Sequence, residues 1–279
     1  MKTVAIVGTG LIGSSFGLAL RAAGFDGEIV GVSSERALAG ALAAGAIDRG
    51  VPLGDALVDA DLVFLSQTIG RILDTIRHVD LMVKPGALVT DAGSTKCEIV
   101  DVARQSITRC QFLGGHPMAG KETRGPESAD AALFQGRPWV LTPDEPSELD
   151  TEAATEFADW LERIGARQVV LDPLEHDRLV AMTSHLPQLA STALGATLAD
   201  TRGTEVSGSG LMDMTRLALS SYDLWRDILA TNAEAIERAL SLYIQELEHI
   251  RENLRTRQLQ EEFERGARLA EKLRRARQD

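Results

Sequence analysis

Gly8-Thr9-Gly10-Leu11-Ile12-Gly13 directly follows the apolar run Val4-Ala5-Ile6-Val7 and opens a stretch of helical periodicity from Leu11 to Ala23. Few topologies accommodate that order. A short, wholly apolar run is the pattern of a parallel strand buried on both faces. Between strand and helix, Gly8 permits a tight turn and Gly10 lets backbone approach a pyrophosphate. Gly13 lets the helix pack closely on the strand, with its N-terminus turned toward phosphate charge. Flavin enzymes and some methyltransferases share this pattern. Its place at the first strand–helix junction favours a nicotinamide dinucleotide, contacted by Gly8, Gly10, Leu11, Ile12 and Gly13.

The rest of the chain continues the alternation. Strands are expected at Ile29–Val32, Leu62–Leu65, Leu88–Thr90, a run ending at Phe112-Leu113, Trp139–Leu141 and Val169–Leu171. Helices are expected from Ser34, a potential N-cap, to Ala44 with Gly45 as stop; over Ile69–Val79; after Cys97; and over Leu149–Ile164. Strands alternating with helices give an α/β fold, a Rossmann-like doubly wound parallel sheet. Beyond Asp172 the texture changes to helical periodicity alone, broken at Pro187. The expected domains are therefore 1–172, dinucleotide-binding, and 173–279, all-α.

Bulk properties narrow the function. A net charge of -12 sets the whole-protein field against nucleic acid and anionic membrane, so neither is an expected partner. An anionic substrate then needs a local cationic site. Cys97 and Cys110 are too few for a disulfide framework or a structural zinc site, and no metal is expected. The start Met-Lys-Thr lacks a signal-peptide pattern, no apolar run approaches the ~20 residues of a membrane helix, and a cytoplasmic location is expected. The basic stretch from Arg251 to Arg277 reads as a solvated helix face.

The end of the second strand bears on coenzyme choice. NAD enzymes usually place an acid there for the ribose hydroxyls; this chain has Gly31-Val32-Ser33-Ser34-Glu35-Arg36. Ser33, Ser34 and Arg36 suit a 2′-phosphate, so NADP is the preferred expectation, while Glu35 keeps NAD open.

Chemistry-bearing residues gather in four places. Asp91-Ala92-Gly93-Ser94-Thr95-Lys96 ends a strand, where doubly wound folds bind ligands. Leu113-Gly114-Gly115-His116-Pro117-Met118-Ala119-Gly120 sets a histidine on a glycine-rich, proline-stiffened turn. Imidazole is the side chain whose ordinary pKa lies nearest neutrality, which makes His116 a candidate acid/base group beside a nicotinamide. Thr183-Ser184-His185-Leu186-Pro187 lies in the helical half. Asp213-Met214-Thr215-Arg216 and Asp223-Leu224-Trp225-Arg226-Asp227 follow it. His176 reads only as a helix-start residue, and Ser94 also suits an N-cap for the helix containing Cys97.

In this order, over nearly the whole chain, these motifs resemble the prephenate/arogenate dehydrogenase family of tyrosine synthesis. The resemblance implies NAD(P)-dependent oxidative decarboxylation of a cyclohexadienyl substrate. His116 would accept the hydroxyl proton and Ser94 would hold the hydroxyl or His116. Arg216 would clamp a carboxylate, which a guanidinium does in bidentate fashion. His185 would bind substrate at the cleft, and Trp225 would wall the site or support Arg216. Two departures from the family pattern stand out. Gln67-Thr68 replaces a Thr-Pro or Ser-Pro pair near the nicotinamide, leaving Gln67 as the expected contact. Lys121-Glu122 replaces a Thr or Ser before Glu; an inward Lys121 would favour prephenate, and an inward Glu122 would favour arogenate.

Two other functions compete. A β-hydroxyacid dehydrogenase of the 3-hydroxyisobutyrate type needs a lysine in the helical half, where none occurs before Lys272. A non-catalytic dinucleotide sensor would not need His116, Ser94 and Arg216 together. Apolar residues at helical spacing from Leu224 to Leu254 and from about Thr256 to Leu273 point to a homodimer through the C-terminal helices, as the resemblance also implies. No appended regulatory domain is expected after Asp279.

Overall fold

The computed structural model describes residues 1–256 and 258–275. Arg257 and Arg277, which belong to the basic stretch noted above, lie outside the described residues. Eight strands form one sheet in the order β3-β2-β1-β4-β5-β6-β7-β8. They are β1 (Thr3–Val7), β2 (Glu28–Val32), β3 (Arg49–Gly50), β4 (Leu62–Leu65), β5 (Leu88–Asp91), β6 (Gln111–Pro117), β7 (Pro138–Thr142) and β8 (Arg167–Val170). The apolar runs form strands because both sheet faces are covered: Val4, Ala5, Ile6, Leu62, Val63, Phe64 and Val89 are fully enclosed. The order reverses between β1 and β4, which creates the crevice at their carboxyl ends where such folds take ligands.

The sheet is not wholly parallel. β6 pairs with β5 in parallel through Leu113, then pairs with β7 antiparallel from Gly114 to Pro117. The segment from β6 to β7 carries only a short 3₁₀ turn at Pro126–Ser128. An antiparallel neighbour requires no crossover helix, so none is present. β6 therefore extends beyond Phe112-Leu113, and His116 stands inside a strand rather than on a turn. β3 escaped sequence reading because a two-residue strand has no period.

Helices run over Leu11–Ala22, Glu35–Ala43, Leu53–Leu57, Ile69–Val79, Cys97–Ser106, Glu152–Arg163, Pro173–Val180, Leu186–Leu198, Ser209–Thr215, Tyr222–Thr231, Ala233–Asn253 and Gln260–Arg275. Ser34 caps its helix by accepting from Ala37 N, and Gly45 ends it at φ 73°. The backbone widens to a π turn over Ala181–His185 before Pro187, which cannot donate to the carbonyl four residues earlier. A single helix from Leu224 is interrupted at Asn232, whose side chain donates to Asp177 O at 2.8 Å.

The chain forms two compact units, Met1–Ala233 and Glu234–Asp279. Helical residues 173–233 thus share a unit with the sheet, although a change of texture occurs at Asp172. Cross-connections explain this. Asp227 Oδ2 accepts from Gly70 N at 3.0 Å, and the Thr95 and Thr231 hydroxyls bond at 2.7 Å. In the second unit, Leu242, Ile244, Leu247, Leu254, Phe263, Leu269 and Leu273 are exposed. No helix among the described residues is long and apolar enough to cross a membrane.

Candidate active site

The three glycines behave differently at the first turn. Gly8 sits at φ 103°, in the left-handed region that favours glycine. A Cβ on Gly13 would collide with the Gly8 carbonyl, so helix and strand approach closely only with glycine there. Around Gly10 a Cβ would meet nothing within 4 Å; its backbone faces open space at the N-terminus of helix Leu11–Ala22. That helix has no acidic residue in its first turn, so nothing there opposes a pyrophosphate. These features fit a dinucleotide.

A cleft of about 470 Å³ extends from this turn, lined by Gly10, Leu11, Ile12, Gln67, Ser94 and His116, with Lys121 and Arg124 on its rim. A larger depression of about 650 Å³ lies beside Gly86, Cys110 and Gln111, at the amino ends of β5 and β6, away from the ligand-binding end of the sheet.

His116 opens on the cleft, and its ring is held from behind. Nδ1 lies 2.9 Å from His176 Nε2, and His176 Nδ1 lies 2.8 Å from Asp177 Oδ1. Asp177 has further work: Oδ1 accepts from Lys96 N at 2.7 Å and Oδ2 from Cys97 N at 2.9 Å. It therefore caps helix Cys97–Ser106 from a distant element, and Ser94 is not the cap. Three donors around one carboxylate, His176 Nδ1, Cys97 N and Lys96 N, hold Asp177 below the usual carboxylate range against the opposing effect of burial. Burial, then His176, Lys96 and His185, push His116 well below the ordinary histidine value, so it meets substrate as a neutral imidazole. The adjacent Cys97 thiol is pushed up to about 12 by burial and by Asp177, which makes it inert as a nucleophile.

The strand that carries His116 is anchored by a buried ion pair. Asp91 and Lys96 are both fully enclosed and bonded to each other. Lys96 Nζ also donates to Gly115 O at 2.8 Å, while Asp91 Oδ1 accepts from Gly115 N at 3.0 Å. Beyond Leu113 β5 no longer pairs with β6, and these two side chains supply the hydrogen bonds to Gly115. Burial pulls the Lys96 ammonium down, and the Asp91 charge opposes that. A Cβ on Gly115 would meet Asp91 O at 2.6 Å.

Other residues singled out in the sequence are distributed differently. Ser94 and Gln67 reach the cleft, and Gln67 Oε1 accepts from Thr75 Oγ1 at 3.2 Å. Ser33, Ser34 and Arg36 are exposed at the end of β2. Lys121 lines the rim, but its ammonium pairs with Asp130 at 3.0 Å and donates to Ser128 O at 3.2 Å. Glu122 pairs with Arg216 at 2.9 Å, both side chains being exposed.

His185 corrects its expectation: it is buried, its Nδ1 lies 3.3 Å from Asn232 Nδ2, and its ring meets Trp225 edge-on at 5.7 Å, so it stands behind the cleft rather than in its wall. Trp225 accordingly supports His185, not Arg216. His176, expected only as a helix-start residue, and Asp177, not expected at the site, both stand behind His116. One signal was available: Asp172 already caps their helix, accepting from Leu174 N at 2.8 Å, so neither residue was needed at its start.

Enclosure pushes the His185 pKa from 6.5 down to about 4. The unfolded chain then binds a proton that the folded one refuses between those values. Stability is full above about pH 6.5 and is lost as pH falls toward 4, by at most about 3 kcal/mol from this group. Thermal unfolding followed from pH 7 to 4.5 is expected to show this slope, and His185→Gln to flatten it; parallel curves would remove His185 as the cause.

The fold and cleft define a dinucleotide-dependent dehydrogenase built from a doubly wound sheet and appended helices. Residues 16–170 match the family model for the prephenate dehydrogenase nucleotide-binding domain, and residues 172–272 match that for the prephenate dehydrogenase dimerization domain. The chain belongs to the prephenate dehydrogenase family. It is 33% identical over 259 residues to a prephenate dehydrogenase of Lactococcus lactis subsp. cremoris, covering 90% of this chain and 70% of the relative. The crystal structure of Aquifex aeolicus prephenate dehydrogenase with hydroxyphenyl propionate and NAD+ superimposes with a TM-score of 0.87 at 30% identity, covering 100% of this chain and 99% of the other. Synechocystis arogenate dehydrogenase does so with a TM-score of 0.80 at 30% identity over 98% of each chain.

Proposed function

We propose that the protein oxidatively decarboxylates prephenate, arogenate or both, using a nicotinamide dinucleotide. The observation that carries this reading is that His116 and Ser94 face the glycine turn across one cleft. The coenzyme, when bound, accepts the hydride from the ring carbon that bears the hydroxyl. His116 removes the hydroxyl proton, and Ser94 orients that hydroxyl. Loss of the ring carboxylate as carbon dioxide leaves an aromatic phenolate, to which His116 can return the proton. Arg216 supplies the clamp for a substrate carboxylate, exchanging Glu122 for it.

The coenzyme preference we propose is NADP, supported by exposed Ser33 and Arg36 and by the absence of an acid at position 33; Ser34 contributes less because its hydroxyl caps a helix. We also propose a boundary at 172/173, a homodimer through the C-terminal helices, whose exposed apolar residues suit self-association, and a cytoplasmic location.

Assaying each substrate with each coenzyme tests the reading directly. Turnover in at least one of the four combinations is expected; none would return the sensor and hydroxyacid readings. Lys121→Ala is expected to leave the ratio of kcat/KM for the two substrates within about twofold, because Asp130 already engages the ammonium. A tenfold change in that ratio would put Lys121 back in charge of substrate choice.

A further inference from the structure

We infer that His176 and Asp177 are a positioning pair that fixes His116 as the tautomer with its proton on Nδ1, presents Nε2 as the base, and holds the positive charge while the substrate proton is borrowed. This rests on His116 being the base, as proposed above. The argument is one of donors and acceptors. Asp177 is an acceptor on both oxygens, since Lys96 N and Cys97 N donate to it and an ionised carboxylate has no proton to give. The proton between Asp177 and His176 therefore belongs to His176 Nδ1. In a neutral His176 ring, Nε2 is then a lone pair and can only accept. At 2.9 Å its partner, His116 Nδ1, must donate. The second nitrogen of His116 is left unprotonated and available to the cleft.

The same chain accommodates charge. When His116 Nε2 takes the hydroxyl proton, the Nδ1 proton can pass to His176 Nε2, leaving His116 neutral and a His176 imidazolium beside the Asp177 carboxylate. No proton is lost to solvent, because the reverse shift returns it to the phenolate. A cation directly in the cleft would oppose coenzyme that is itself formally positive on its nicotinamide; displaced onto His176 it is neutralised by Asp177. The other titratable side chains facing this cluster are His185, Lys96 and Cys97. Asn232 supports it from the fourth side, donating to Asp177 O and to His185 Nδ1.

The tautomer is observable without activity. The protein has five histidines, so ¹⁵N-labelled imidazoles can be assigned by single substitutions. At pH 7.5 the holoenzyme is expected to show His116 with a protonated Nδ1 and a bare Nε2, and His176 likewise; a proton on His116 Nε2 would overturn the inference while leaving the turnover assays untouched. Kinetics provide the second arm. His176→Leu leaves the His116 Nδ1 proton without an acceptor and is expected to lower kcat by about 10²–10⁴-fold, the scale seen when a base is held in the wrong tautomer. His176→Gln restores an acceptor oxygen there and is expected to recover at least about tenfold of that loss, with coenzyme KM within about twofold in both. Equal kcat for Leu and Gln would show that His176 only fills space.

Discussion

His116→Asn is expected to bind coenzyme and substrate as the unsubstituted protein does and to lose about 10²–10⁴-fold in kcat, the range over which a positioned general base contributes. The expectation follows from the neutral ring that opens on the cleft and from its engagement on one nitrogen only. Asparagine keeps a donor toward His176 but offers no basic nitrogen to the substrate. Coenzyme titration by fluorescence and steady-state kinetics on one sample separate binding from turnover. A kcat within tenfold of the original would remove His116 from the proton transfer and transfer that role to another group in the cleft.

The second large effect is on stability. Lys96→Met is expected to cost about 3–5 kcal/mol, because it leaves the Asp91 carboxylate enclosed without its counter-charge. For a unit of this size that lowers the unfolding midpoint by roughly 6–20 °C. Adding Asp91→Asn is expected to recover part of the loss, since the unpaired charge goes with it. Calorimetry on the single and double variants decides the matter: a single variant within about 1 kcal/mol of the parent would mean that water reaches the pair.

Much of this was legible in the residues. The apolar runs at Val4–Val7, Leu62–Leu65 and Leu88–Thr90 became buried strands, and the three glycines took up the separate geometries that their order requires. What eluded reading depends on contacts between distant positions. His116 and His176 are 60 residues apart, and Asp177 caps a helix that begins 80 residues before it. A histidine and an aspartate in the first turns of a helix look local until the fold closes. Nor does a sequence state where β6 exchanges a parallel neighbour for an antiparallel one, because glycines at 114 and 115 carry no alternation to read. His185 and Trp225 were singled out for the cleft and stand behind it, since a motif identifies a residue without saying which of its faces is enclosed.

The arrangement at Gly115 has one further consequence. Its amide hydrogen is protected by a side chain, Asp91, rather than by a neighbouring strand. Its exchange with solvent deuterium therefore reports the opening of the Asp91–Lys96 pair and not the fraying of the sheet. One backbone proton, immediately before the histidine, can thus serve as a built-in gauge of how often the floor of the site comes apart while the rest of the molecule stays folded.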